Sequence, residues 1–183
     1  MKTHERRADE PMGLFELQAG NSSFGLEAEK GASARRLEAH HRPRIIEILQ
    51  ATNAFRDEEI EVALELFDAQ GVDYEFIGVF SPEGELTGYA CYGATPGTEG
   101  TYDLYWIAVH PEHQGAGGGS RLLDEVERRL IEREARMLIV ETSARDGYES
   151  TRRFYERRGY VESATIPDFY AVSDDRVIYT KRL

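Results

Sequence analysis

Residues 101–143 confine the chain to a narrow set of folds. "TYDLYWIAV" (101–109) is a branched and aromatic run of strand length, and four of the five positions 115–119 are glycine. Leu122, Leu123, Val126 and Leu130 then recur at helical spacing, and "MLIVETS" (137–143) is a second strand rich in branched residues. A strand, a helix and a strand joined this closely lie in one sheet with the two strands parallel and a right-handed crossover between them.

The remaining segments fit around that unit. "YEFIGVF" (74–80) and "LTGYACYG" (86–93) read as strands joined by the hairpin "SPEGE", in which Gly84 is free to take positive φ. Upstream, "ARRLEA" (34–39) reads as a short strand. A helix begins near Pro43 with Ile45, Ile48 and Leu49 turned inward. A second helix is capped by Asp57, buries Ile60, Ala63, Leu64 and Phe67, and stops at Gly71. Downstream, "ESTRRFYERR" (149–158) is a short helix stopped by Gly159. "YVESATI" (160–166) and "DRVIYTKRL" (175–183) are closing strands, with "PDFYAVSDD" (167–175) between them as a loop. The order predicts a single α/β domain over residues 34–183, a mixed central sheet with helices on both faces. Residues 1–33 are polar and aperiodic and read as a partly disordered N-terminal extension.

The glycines need a reason, because each costs conformational entropy on folding. A glycine turn opening a helix is an anion site: the first N–H groups have no partner in the helix, the dipole favours negative charge, and no side chain blocks their approach. The turn therefore asks for a phosphate. Formal net charge is −12, with 34 acidic against 22 basic residues, so an anion must be held by a local field. The same balance argues against a nucleic-acid partner. No apolar run approaches the roughly 20 residues that cross a bilayer. With no apolar leader and one cysteine, Cys91, the chain reads as cytoplasmic and free of intrachain disulfides. His110 and His113 lack the partners of a metal site, so no metal is expected. A Walker loop needs a lysine that is missing here. A dinucleotide fingerprint needs its glycines directly after the strand, and His110 to Gln114 intervene.

What remains is Gln114-Gly115-Ala116-Gly117-Gly118-Gly119, which resembles the Q/R-x-x-G-x-G/A signature of the GNAT superfamily of acetyl-CoA-dependent N-acetyltransferases. Its surroundings, "IAVHPEHQGAG", are similar to that family's strand, turn and helix. "TRRFYERRGY" (151–160) resembles its second motif, with Phe154-Tyr155 and Gly159-Tyr160 in register. The family's usual asparagine before this helix is replaced by Tyr148, and Gly118 stands where an aliphatic residue is common. The resemblance implies a splayed strand pair. It implies coenzyme A pyrophosphate on the amides of Gly115 to Ser120, and a pantetheine arm paired with Ile107, Ala108 and Val109. Ala116, Gly117, Gly118 and Gly119 are thus cofactor-binding residues together with Gln114.

Acetyl transfer to an amine needs a base for the ammonium, a donor for the oxyanion and an acid for the leaving thiolate. Tyr155 is the candidate acid, since a phenol's pKa of about 10 lies near that of an alkyl thiol. Glu141 is the candidate base, similar in position to the strand glutamate of the ribosomal-protein N-terminal acetyltransferases. Its competing role is an ion pair with Arg145 or Arg152, and Asp103 is the rival base. A backbone N–H near Ala108 or Val109 is the expected oxyanion donor. Arg152, Arg153, Arg157 and Arg158 read as a solvent face, one of them able to meet a phosphate. Phe55, Phe169 and Tyr170 are candidates for the acceptor side. The expected reaction is transfer from acetyl-CoA to a small or peptidyl primary amine by direct attack in a ternary complex, with a homodimer possible. The alternative is a non-catalytic acyl-CoA-binding module of the same fold.

Overall fold

The computed structural model describes residues 34–53, 55, 57–71 and 73–183; the expected extension, 1–33, lies outside them. In chain order the elements are β1 Arg35–Arg36, α1 Arg42–Thr52, α2 Asp57–Asp68, β2 Glu75–Phe80, β3 Leu86–Ala94 and β4 Thr101–Val109. Then follow α3 Gly118–Glu132, β5 Met137–Ser143, α4 Glu149–Arg157, β6 Val161–Ala171 and β7 Asp174–Arg182. The seven strands form one sheet in the order β1-β2-β3-β4-β5-β7-β6. β4 and β5 are parallel, as the crossover requires, and every other pair is antiparallel.

Register sorts the side chains onto two faces. Tyr92, Leu104, Val140 and Tyr179 stand opposite one another in turn across four strands, and Tyr155 of α4 packs against Tyr179. On the other face Phe76 and Cys91 are paired, and Phe67 of α2 meets Phe76 edge-on at 5.1 Å. The apolar stripe of α3, Leu122, Leu123, Val126 and Leu130, is fully buried. Burying a side chain of this size contributes roughly 1.5–3 kcal/mol, so these four residues alone outweigh any single surface ion pair on the helix.

Two irregularities position the site. Cys91 faces Trp106 while Tyr92 faces Leu104, which leaves Tyr105 as an extra residue, a β-bulge in β4. Just there the β4–β5 ladder stops: its last rung is Leu104 with Val140. β4 follows β3 on to Val109, so residues 105–109 turn an unpaired edge toward β5.

The second irregularity corrects the sequence reading. Residues 167–175 were expected as a loop, yet β6 runs through Pro167 to Ala171. Ile166 pairs with Arg176 and Ala171 with Asp174, so Pro167 to Tyr170 bulge against Asp175 alone. β6 is the edge of the sheet, where a proline costs no ladder bond. Asp168 takes φ of 52°, its N–H donates to Asp175 Oδ1 (2.9 Å), and its Oδ1 accepts the N–H of Ser173 (2.6 Å). Asp57, expected as the cap of α2, is its first helical residue.

Candidate active site

The glycine turn takes the form the sequence called for. Gly115 and Gly117 have φ of 79° and 77°, and Gly117 is the cap from which α3 starts. A side chain there would strain the backbone, and the space beside both α-carbons is open. Gln114 N–H is bonded to Pro111 O (3.2 Å), and Arg121 N–H closes the first turn on Gly117 O (3.0 Å). Between them, the amides of Gly115, Ala116, Gly117, Gly118, Gly119 and Ser120 have no carbonyl partner among the described residues. Gln114 itself folds back, its Nε2 donating to Val109 O (3.1 Å). That bond ties the turn to the end of β4, so Gln114 contributes by placing the glycines.

Beside the turn lies the free edge of β4. Ile107, Ala108 and Val109 are buried and paired with β3 on one side only. Backbone groups on such an edge suit an extended ligand carrying amides. Helix α4 spans the opening. At its first turn Arg152 Nη1 donates to Ser143 O (2.8 Å) at the end of β5, and past its last turn Arg158 pairs with Asp124 and reaches Ser120 O (3.4 Å) on α3. Three of the four arginines read as solvent face are thus engaged: Arg152 and Arg158 as struts, and Arg153 with Glu149 (2.7 Å).

Tyr155 lies between those struts. It is fully buried and its hydroxyl has no partner among the described residues. Burial pushes its phenol well above the ordinary value, away from the near match with a thiol that the sequence suggested. The hydroxyl therefore stays protonated at every working pH.

Glu141 approaches from the other face. It shares that face with Asp103 through the rungs Asp103–Ile139 and Glu141–Ile178. Its ion-pair partner is neither arginine expected: Arg145 pairs with Asp174 (2.9 Å) and Arg152 serves Ser143, while Glu141 Oε1 pairs with Arg176 of β7. Sequence reasoning missed Arg176 because its place depends on the β5–β7 register. Glu141 Oε2 and Arg176 Nε are both buried without a partner among the described residues. Asp103 accepts Thr95 Oγ1 (2.7 Å), and burial raises its carboxyl above the usual range.

The aromatic candidates divide. The Phe169 ring lies over the Arg176 guanidinium at 4.6 Å. Tyr170, on the same bulge, is half-buried in the neighbourhood of Asp174, Tyr148 and Glu59, and its buried hydroxyl lacks a partner among the described residues. Phe55 packs on Trp106 at 6.1 Å, on the splayed half of β4. Buried polar atoms are nearly always hydrogen-bonded. Here Trp106 Nε1 on β4, Glu141 Oε2 and Thr142 Oγ1 on β5, Tyr155 Oη on α4, Arg176 Nε on β7 and Tyr170 Oη on β6 are among the exceptions found in the described residues. His110 Nδ1 accepts the N–H of Glu112, and Cys91 is fully buried. Among the described residues no helix is long and apolar enough to cross a membrane.

Comparison with known proteins gives the same outline. The model of the acetyltransferase (GNAT) family matches residues 42–160. A GNAT-family protein of Desulfovibrio desulfuricans superposes with a TM-score of 0.78 at 40% identity, over 82% of this chain and 98% of that one. An aminoglycoside 6′-N-acetyltransferase complexed with coenzyme A shares the fold at 16% identity, with a TM-score of 0.67 over 82% of this chain and 97% of its own. The S-(2-succino)cysteine N-acetyltransferase of Bacillus subtilis is 31% identical over 72 residues, which is 39% of this chain and 44% of that relative.

Proposed function

Because the chain belongs to the GNAT acetyltransferase family, we propose that it transfers the acetyl group of acetyl-CoA to a primary amine by direct attack in a ternary complex. The observation that carries this reading is the end of the β4–β5 ladder at Leu104 and Val140, which leaves an edge of β4 that runs on to Val109 and the turn, where six amides lack carbonyl partners among the described residues. One feature suits an extended amide chain and the other a diphosphate, and acetyl-CoA has both in that order. The neighbour of the same fold that carries coenzyme A supports the choice.

In this reading Gly115 to Ser120 hold the pyrophosphate, and Ile107, Ala108 and Val109 hold the pantetheine arm. Acetyl-CoA supplies an activated thioester. The sheet separates Glu141 from Tyr155 everywhere except at the splay, so a reacting centre placed there meets base and acid from opposite faces. Glu141 takes the proton of the ammonium, by its free Oε2 or through water. The amine nitrogen then forms a bond to the acetyl carbon and the carbon–sulfur bond breaks. Tyr155 supplies the proton the thiolate needs. The adduct's nitrogen gives up a second proton, which restores the Tyr155 hydroxyl. In net terms two protons leave the ammonium: one ends on sulfur, and the one taken by Glu141 passes to solvent. An amide and a thiol are the products. Backbone N–H groups near Ala108 or Val109 face the developing oxyanion, a contribution of about 3–4 kcal/mol where it is preorganised.

The test is release of free thiol from acetyl-CoA across a panel of amines. Turnover that tracks amine concentration supports the enzyme. Tight binding of acetyl-CoA with no turnover for any amine makes the chain a binding module.

A further inference from the structure

Resting on the proposed acetyl transfer, we infer that the acceptor is an amine with an oxygen acceptor on the neighbouring carbon: an α-amino acid, or the first residue of a peptide. The observation is a pair of unused groups. Glu141 and Arg176 meet through a single contact, Oε1 with Nη2, which leaves Oε2 of one and Nε of the other buried without partners. A side-on pairing would have used both. The Phe169 ring lies against the same guanidinium, 4.6 Å from Cζ to the ring centroid. Phe169 is carried there by the bulge Pro167 to Tyr170, which is anchored through Asp168 and Asp175.

A lone alkylamine would satisfy Glu141 and leave Arg176 Nε desolvated with nothing to donate to. A carboxylate or peptide carbonyl one carbon from the nitrogen fills both requirements at once. The charges packed around Arg176 agree. Asp103 and Glu141 offset its cation, while Asp174 is taken up by Arg145, so a net negative ligand is disfavoured and a zwitterion or a neutral carbonyl is accepted. Proton transfer points the same way. The amino group of a peptide N-terminus ionises near pH 8, against about 10.4 for an alkylamine, so a carboxylate base removes its proton more readily. A free amino acid, whose own carboxylate stabilises the ammonium, gains less.

The experiment compares matched sets: L-alanine, L-leucine and L-phenylalanine, their C-terminal amides, and the decarboxylated amines. Initial rates are read from thiol release with saturating acetyl-CoA. The oxygen-bearing members should exceed the decarboxylated amine in kcat/KM by between about tenfold and a hundredfold, the cost of one buried donor left unpaired. The free acid preferred over the amide identifies an amino acid; the reverse identifies a peptide N-terminus. Arg176→Lys, which keeps the charge for Glu141 but removes Nε, should shrink the ratio toward unity while acetyl-CoA affinity is held. A decarboxylated amine that reacts as well as its parent overturns the inference and leaves the acetyltransferase reading intact. No turnover in any set, with acetyl-CoA bound, overturns both.

Discussion

Leu104 stands opposite Val140 on the last rung that β4 and β5 share, and the next residue of β4, Tyr105, is the bulge. A bulge increases local twist and bends its strand. The strand that carries it therefore turns away from β5 while keeping its ladder with β3 to Val109. The cleft is thus built into the sheet itself.

The two central glycines of the turn should respond oppositely to alanine. Gly117 holds φ of 77°, where an L side chain costs roughly 1–2 kcal/mol, and its β-carbon would project into the open space proposed for the pyrophosphate. Gly117→Ala should lower stability by about that amount and weaken coenzyme A by tenfold or more. Gly118 is the first residue of α3 and has no positive φ, and a β-carbon there would rest 3.5 Å from Val109 and 3.7 Å from Val79. Gly118→Ala should stabilise the helix, by less than the roughly 1 kcal/mol of a helix interior, and leave coenzyme A binding unchanged. Thermal melts and calorimetric titration with coenzyme A check both.

Tyr155→Phe removes a buried hydroxyl that has no partner among the described residues. Such a loss is neutral or stabilising, by up to roughly 1–3 kcal/mol. An ordinary core tyrosine with its bond made would lose stability instead. Turnover should fall by about a hundredfold or more with coenzyme A affinity unchanged. Because burial raises the phenol's pKa, the wild-type rate should show no alkaline fall due to Tyr155 below pH 10. A stable variant at full rate would take the acid role away from this residue.

How far these residues could be read beforehand depended on the range of the signal. The parallel pair, the glycine turn and Phe154-Tyr155 are written in local periodicity and backbone chemistry, and they sit where the sequence put them. Glu141 was legible as a carboxylate in an apolar strand, since such a group needs a partner. The partner was not, because Arg176 reaches it only through the β5–β7 register, with Ser143 opposite Arg176. Pro167 and Asp168 carry the usual marks of a loop, so the edge-strand bulge that delivers Phe169 to Arg176 was hidden by its own composition.

Asp103 offers a pH test of the acidic face. Burial raises its folded pKa above the unfolded value near 3.9. Its preference for the protonated form therefore favours folding below pH 4, and that contribution is lost as pH rises through the folded pKa. At pH 7 the ionised, desolvated carboxylate is a liability. Asp103→Asn, which retains an acceptor for Thr95, should be more stable than wild type at pH 7, and the advantage should vanish by pH 3.5. Denaturant melts across that range decide it; a variant less stable at neutral pH would mean that attraction to Arg176 outweighs burial.

Glu141 and Asp103 can be separated as bases by the acid limb of kcat/KM. Glu141→Gln keeps the size of the side chain and a contact to Arg176 but leaves that cation short of one charge. Both side chains are nearly buried, 10% and 14% exposed, so stability should fall by about 3 kcal/mol, the usual result of unbalancing a buried pair. Rates must then be compared well below the melting temperature. If Glu141 is the base, its glutamine variant loses the acid limb and most of the rate, and Asp103→Asn keeps both. The converse pattern would assign proton removal to Asp103, leaving Glu141 as the residue that holds Arg176 in place.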